Sequence, residues 1–326
     1  MTLEYLQYLV DPTTGESLRL ENARTVDGLI YEGVLVSSTS SYPIIRGIPR
    51  FVPLEKDNYA RTFGYQWKKW PRVQFEKENI GRPMEGHTTR MWERITGITN
   101  APQASSDSKE VLVDIGCGPG RFSDVALEKG YAVIAVDYSG AVEAARDNFP
   151  GNKNICVIQA DALKLPIKKG SMAGAFSIGV LHHTPDPLKG VQQAYDVLRP
   201  DGWFAISVYG KGGYYDFPQV QLWRRTFKAL WPAFGPYPAL LYSYLCIALF
   251  WPICRVASPI GKAIRLFIPF VNLADYRWSL LDTFDSLTPS YQSAHTSYEI
   301  YLWLKNLGFR GIEPTDWGFT AYRGMK

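Results

Sequence analysis

Between Val111 and Tyr209 the chain alternates short apolar runs with helical stretches, and few folds accommodate that rhythm. Runs at 111–115, 131–137, 154–159, 173–180 and 202–209 read as strands. Segments at about 120–129, 139–148 and 187–198 read as helices. Strands joined through helices pair in parallel, and strands apolar on both faces must be covered on both. The expected fold class is therefore α/β, a doubly wound sheet.

The flanks differ. Residues 1–54 read as a small β-rich unit, with the alternating "GLIYEGVLVSS" and the turn-rich "SYPIIRGIPRFVP". Residues 55–105 read as a helical, aromatic connector ending in the polar "NAPQASSDSKE". The core is expected at 106–210 and 281–326, interrupted by a helical apolar insertion at 211–280. Thr296 and Glu299 form a capping-box pattern before the last helix, and "RGIEPTDWGFTAYRG" reads as two closing strands.

Composition narrows the function classes. The 35 bases and 31 acids leave a net charge of +4, which argues against a nucleic-acid partner. The four cysteines, Cys117, Cys156, Cys246 and Cys254, include no C-x-x-C pair, so no metal site is expected from them. The opening "MTLEYLQYLVDP" lacks a basic region followed by a cleavage site, so a cytoplasmic location is expected.

The turn after the first core strand reads "VLVDIGCGPGRF". A dinucleotide turn, G-x-G-x-x-G, would need glycine at 121, where Arg121 stands. Asp114, at the strand end, suits a ligand with a cationic ammonium and a sulfonium better than a pyrophosphate. Gly116, Gly118 and Gly120 let backbone approach such a ligand closely. Asp137, ending the second strand, lies 21 residues beyond Gly116, where a carboxylate can accept ribose hydroxyls. Asp161, after the third strand, can accept from an adenine amino group. Taken singly, each acid could be a helix cap; three on one sheet edge with a glycine turn form a site.

"VDIGCGPGRFS", "AVDYS", "QADALKLPI", "FSIGVLHHTPDP" and "VLRPDGWFAISVY" resemble, in order and spacing, the motifs of class I S-adenosylmethionine-dependent methyltransferases with a type 11, UbiE-like core. The resemblance implies a seven-stranded Rossmann-like sheet with a last antiparallel strand. It implies S-adenosylmethionine as cofactor. Asp114, Gly116, Gly118 and Gly120 would line its methionine end, Asp137 would hold the ribose and Asp161 with Ala162 the adenine, with Cys117, Tyr138 and Ile178 as further cofactor contacts. "YPIIRGIPRFVP" is similar to the end of the zinc-ribbon-like unit preceding many bacterial methyltransferases. The places of its cysteines read "DPTT" (11–14) and "VSSTSS", which implies the shape without the metal. "FGYQW" and "LDTFDSLTPSYQSAHTSYEIYLWLKNLGF" resemble, more loosely, methyltransferases of surface polysaccharide and lipid biosynthesis.

For the methyl-transfer step, His182 or His183 in "LHHTPDP" could act as base; the alternative is a pocket wall. Tyr65, Gln66 and Trp67 could cap the cofactor or line the acceptor site, or form the core face of a helix. Asp282, Asp285, Tyr291 and His295 are further acceptor contacts, or loop caps. From Ala229 to Cys254 there is no charge. Its prolines leave Ala239–Trp251, 13 residues, as an unbroken helix, short of the roughly 20 that span a bilayer. A buried helix is expected; the alternative is peripheral membrane contact through 229–270, because basic residues flank the segment. The acceptor is expected to be a small molecule, hydrophobic, lipid-linked or related to surface glycans. An RNA methyltransferase and a non-catalytic cofactor-binding partner protein are the alternatives.

Overall fold

A computed structural model describes residues 1–52, 59–100, 109–318 and 320–326. The expected linker at 100–110 and the start of the connector lie largely outside them.

The chain opens with four antiparallel strands in sequential order: β1 Arg19–Val26, β2 Leu29–Val36, β3 Ser41–Ile45 and β4 Ile48–Pro49. The two loops where the ribbon resemblance placed cysteines meet each other here. Ser37 Oγ donates to Asp11 Oδ2 at 2.6 Å, and Thr13 N–H donates to Asp11 Oδ1 at 2.7 Å. Asp11 is fully buried. Burial alone would raise its carboxyl, but hydrogen bonds from Ser37, Thr13 and Thr14 outweigh this and hold it at about 2. The unit joins the core along one edge. Arg50 bridges to Gln159, Phe51 N–H donates to the Gln159 carbonyl at 2.8 Å, and the buried Arg50 guanidinium pairs with Glu143.

Two helices, α1 Arg61–Lys69 and α2 His87–Thr96, lead into the core. There follow β5 Val111–Ile115, α3 Arg121–Glu128, β6 Ala132–Asp137, α4 Ala141–Asn148, β7 Ile155–Gln159, β8 Met172–Ile178, α5 Pro187–Val197 and β9 Leu198–Ser207. The five apolar runs became these five parallel strands, and β5, β7 and β8 are buried along their whole length. After the insertion come α10 Ser297–Leu307, β10 Arg310–Pro314 and β11 Ala321–Met325, with the Thr296–Glu299 capping box formed in both directions. The seven-stranded order is β10-β11-β9-β8-β5-β6-β7, and β11 runs antiparallel to both its neighbours.

The insertion comprises α6 Pro218–Phe234, α7 Tyr237–Val256, α8 Ser258–Phe267 and α9 Tyr276–Leu287. Two expectations need correction. Residue 280, expected as its end, lies inside the continuous α9. The prolines do not confine α7 to 13 residues: it runs for 20. Pro238 sits in the first turn, where no N–H is needed, and Pro252 is exposed below exposed Ala248, so the carbonyl it frees can reach water. Nor is α7 a buried helix. It is long and apolar enough to cross a membrane, yet only 28% of its most apolar window is buried in the protein.

Removing the clasp of the N-terminal unit should cost stability. We expect Asp11→Ala to lower unfolding free energy by ~2 kcal/mol through orphaned donors. Because the folded carboxyl is held low, its contribution is present above about pH 4 and fades towards pH 2. Urea unfolding of wild type and variant at pH 7 and pH 2.5 measures both; equal losses at the two pH values would refute the assignment.

Candidate functional site

The turn after β5 is built by three left-handed glycines, Gly116, Gly118 and Gly120, with φ of 83°, 55° and 93°. The Val136 carbonyl accepts from Gly116 N–H at 2.8 Å and Cys117 N–H at 2.9 Å, binding the turn to the end of β6. Asp137 completes the joint. Its Oδ2 accepts from Gly118 N–H at 2.9 Å and its Oδ1 from the Ser139 N–H and hydroxyl. A carboxylate offers about four acceptor sites, so about one remains for a ligand hydroxyl, where two were expected.

A cleft of about 310 Å³ opens over this turn. Of the residues assigned to the cofactor from sequence, Gly116, Cys117, Gly118, Asp137, Tyr138, Ala162 and Ile178 line it. Three expected residues stand behind it. Asp114 is buried under the turn, accepting from Ser123 Oγ at 2.7 Å, and burial pushes its carboxyl up to about 7. It supports the glycine turn from beneath. Gly120 faces the Phe149 ring. Asp161 receives the Tyr59 hydroxyl at 3.0 Å, and Tyr59 stacks on Tyr138 at 4.8 Å.

The other half of the cleft is made by α1, α9 and the residues after β9. Trp67 faces Gly118, where a Cβ would come within 3.0 Å of the indole. Tyr65 instead packs on Phe284, and Gln66 is fully buried beside Asp285. Of this triplet only Trp67 lines the cleft. Asp282 and Asp285, three residues apart, share one face of α9 and both line the cleft. They belong to a helix and not to the loop that sequence suggested. α9 is held at its start by Asp275, which caps it and pairs with Arg277, and by Asn79, which accepts from Trp278 Nε1 at 2.9 Å. Gln74 Nε2 donates to Asp282 Oδ1 at 3.1 Å.

Burial, then the charge of Asp285, raises Asp282 to about 7. Burial raises Asp285 to about 6, against the opposing Arg121 and Arg224. The two histidines separate. His183 lines the cleft, its Nδ1 3.0 Å from the Tyr291 carbonyl, and burial lowers it to about 4. His182 is fully buried against the Tyr209 ring at 3.8 Å, outside the cleft lining. Tyr291 and His295 also fall outside the lining, and the His295 ring bonds Ser293 at 2.8 Å.

Several lining residues were not anticipated: Tyr59, Phe63, Gln74, His87, Arg121, Tyr209, Tyr215, Trp278 and Trp317. Arg121 carried the one readable signal, a cation directly after the glycine turn.

Residues 113–206, which hold the turn, Asp137 and Ala162, match the family described as methyltransferase domain. They are a methyltransferase domain. The cleft fits S-adenosylmethionine, the cofactor of such domains, since the Gly116–Gly118 turn lines it beside Asp137, which keeps acceptor capacity. The chain is 30% identical over 149 residues to a demethylmenaquinone methyltransferase of Clavibacter sepedonicus, covering 45% of this chain and 56% of that one. It is 29% identical over 122 residues to a tRNA (carboxymethyluridine(34)-5-O)-methyltransferase of Mus musculus, covering 36% and 17%. Among solved structures, a phosphoethanolamine N-methyltransferase of Haemonchus contortus, bound to phosphomonomethylethanolamine and S-adenosylhomocysteine, is 17% identical. The match covers 80% of this chain and 44% of that one, with a TM-score of 0.44. In three curated relatives the match spans 31% to 56% of their length.

The acid pair should be destabilising. An acid whose folded value is raised from 3.8 to about 7 contributes most stability below pH 4 and loses it as pH rises to 7. Asp282→Asn should therefore raise Tm at pH 8 by at least ~2 °C, the effect of about 1 kcal/mol in a chain of this size. It should give no gain at pH 4. Thermal melts at both pH values decide.

Proposed function

We propose that the chain is an S-adenosylmethionine-dependent methyltransferase acting on a hydroxyl or amine of a small acceptor whose body is hydrophobic or lipid-linked. The observation that carries this reading is the continuity of one cleft from the glycine turn to the Asp282–Asp285 face of α9.

When bound, S-adenosylmethionine supplies a methyl group made electrophilic by its sulfonium. Asp137 and the 116–118 backbone would hold its nucleoside and amino-acid ends, and Tyr138 and Ala162 its base. Trp67 and Trp278 wall the acceptor half and exclude water from it. The Asp285 carboxylate takes the proton released by the acceptor. With a value near 6 it is mostly ionised at neutral pH yet basic enough to be useful. Asp282, tied to Gln74 and sitting near 7, orients the acceptor's polar group. His183, lowered to about 4 by burial, is the weaker base of the three.

Methyl-labelled S-adenosylmethionine incubated with the protein and a cell extract tests the assignment. Label in the organic fraction is expected; label in RNA would overturn the acceptor class, and no label anywhere would overturn the activity. Asp137→Ala should weaken S-adenosylmethionine binding ten- to a hundredfold by calorimetry, the worth of about 1.5–3 kcal/mol for a charged hydrogen bond.

With an acceptor in hand, turnover should rise with pH through about 6. Asp285→Asn should lower kcat by ~10²–10⁴ and remove that limb, leaving cofactor affinity unchanged.

A further inference from the structure

We infer that α7 and α8 lie flat on an anionic bilayer and hold the enzyme there. The inference deepens the acceptor reading above, but its test needs neither cofactor nor acceptor.

The first observation is the exposed apolar stripe. Leu241, Leu245, Leu249 and Val256 recur along one face of α7, and Val256 is 90% exposed. Leu266 and Phe267 extend it on α8, Phe267 being 77% exposed. So large a contiguous apolar surface needs an occupant.

The second observation is where the chain keeps its charge. Of the 35 bases and 31 acids, six bases and no acid lie between Phe217 and Ala274, the span of α6 to α8 and the segment after them. The remainder therefore carries 29 bases against 31 acids. Three of the six, Arg255, Lys262 and Arg265, are on α7 and α8, the helices that bear the stripe, and the other three are on the adjoining α6. Arg224 turns inward towards Asp285, and the other five bases are in no salt bridge among the described residues. Arg225 and Lys262 are exposed.

The two together select the occupant. A second copy meeting this face would bring two acid-free basic segments together, which repel. An anionic bilayer offers hydrocarbon for the leucines and negative headgroups for the bases. The orientation is in plane, because α7 cannot be wrapped by lipid. Its opposite face, with Ala239, Ser243, Cys246 and Cys254, is buried in the protein. At Gly261 of α8 a Cβ would stand 2.6 Å from Cys254 Sγ, so the two helices are in close backbone contact. α7 also packs on α9, whose carboxylates line the cleft, so one helix layer separates bilayer from acceptor site.

Flotation of the full chain with vesicles provides the test, using phosphatidylcholine alone and phosphatidylcholine with phosphatidylglycerol. The protein should float with the anionic vesicles and bind neutral ones at least ~tenfold more weakly, the difference shrinking in high salt. The double variant Leu245→Glu, Leu249→Glu should lose binding to both. Lys262→Glu should lose about tenfold on anionic vesicles only. Unchanged melting and unchanged S-adenosylmethionine binding in each variant would show that the fold survives. Absence of flotation, flotation indifferent to the double variant, or a dimer that Leu245→Glu dissociates would each overturn the proposal. A wild type that binds cofactor yet fails to float would leave the methyltransferase reading standing.

Discussion

One carbonyl oxygen holds the site together. Val136, the penultimate residue of β6, accepts from both Gly116 and Cys117, and the next residue, Asp137, takes the Gly118 N–H. The turn after one strand is thereby bound to the tip of its neighbour. Three positive-φ residues in five make this turn sterically costly for any sequence but a glycine-rich one. Its shape persists because β5 and β6 pair in register directly beneath it and because Asp114 braces it from below. Everything placed around the cleft is referred to that joint.

The opposite wall is held by different means. α9 carries its acids into a cleft where burial disfavours their charge, and the helix stays because its other face is core. Leu280, Phe284 and Leu287 are buried, and Asp275 and Asn79 fix its start. Apolar packing thus keeps two carboxylates in a setting they would not choose, which is the usual origin of groups able to exchange protons near neutrality.

The parts legible in the sequence were those written in local rules. β5 to β9 were readable because a buried parallel strand needs an uninterrupted apolar run, and the glycine turn because no other residue tolerates its angles. The Thr296–Glu299 box was readable because a helix start has its own chemistry. The acceptor half was not. Gln74, His87 and Trp317 come together from distant elements, and no local pattern ties them to Asp282. His182 and His183 are adjacent in sequence, yet only one reaches the cleft, which depends on how a single turn of 3-10 helix is rotated. α7 was read too short because proline was treated as a breaker wherever it fell. Proline is tolerated in the first turn of a helix, where Pro238 stands, and Pro252 frees a carbonyl at the exposed Ala248.

The placement of β11 has a consequence for how the chain is made. Its antiparallel seat lies between β9 and β10, but the whole helical insertion is synthesised between β9 and β11. While that insertion emerges, β9 is paired on one side only, and an open strand edge coexists with newly made, uncovered apolar helices. Such an intermediate is the kind that aggregates or recruits a chaperone. The order of synthesis therefore makes the sheet close last, after the helical insertion is complete.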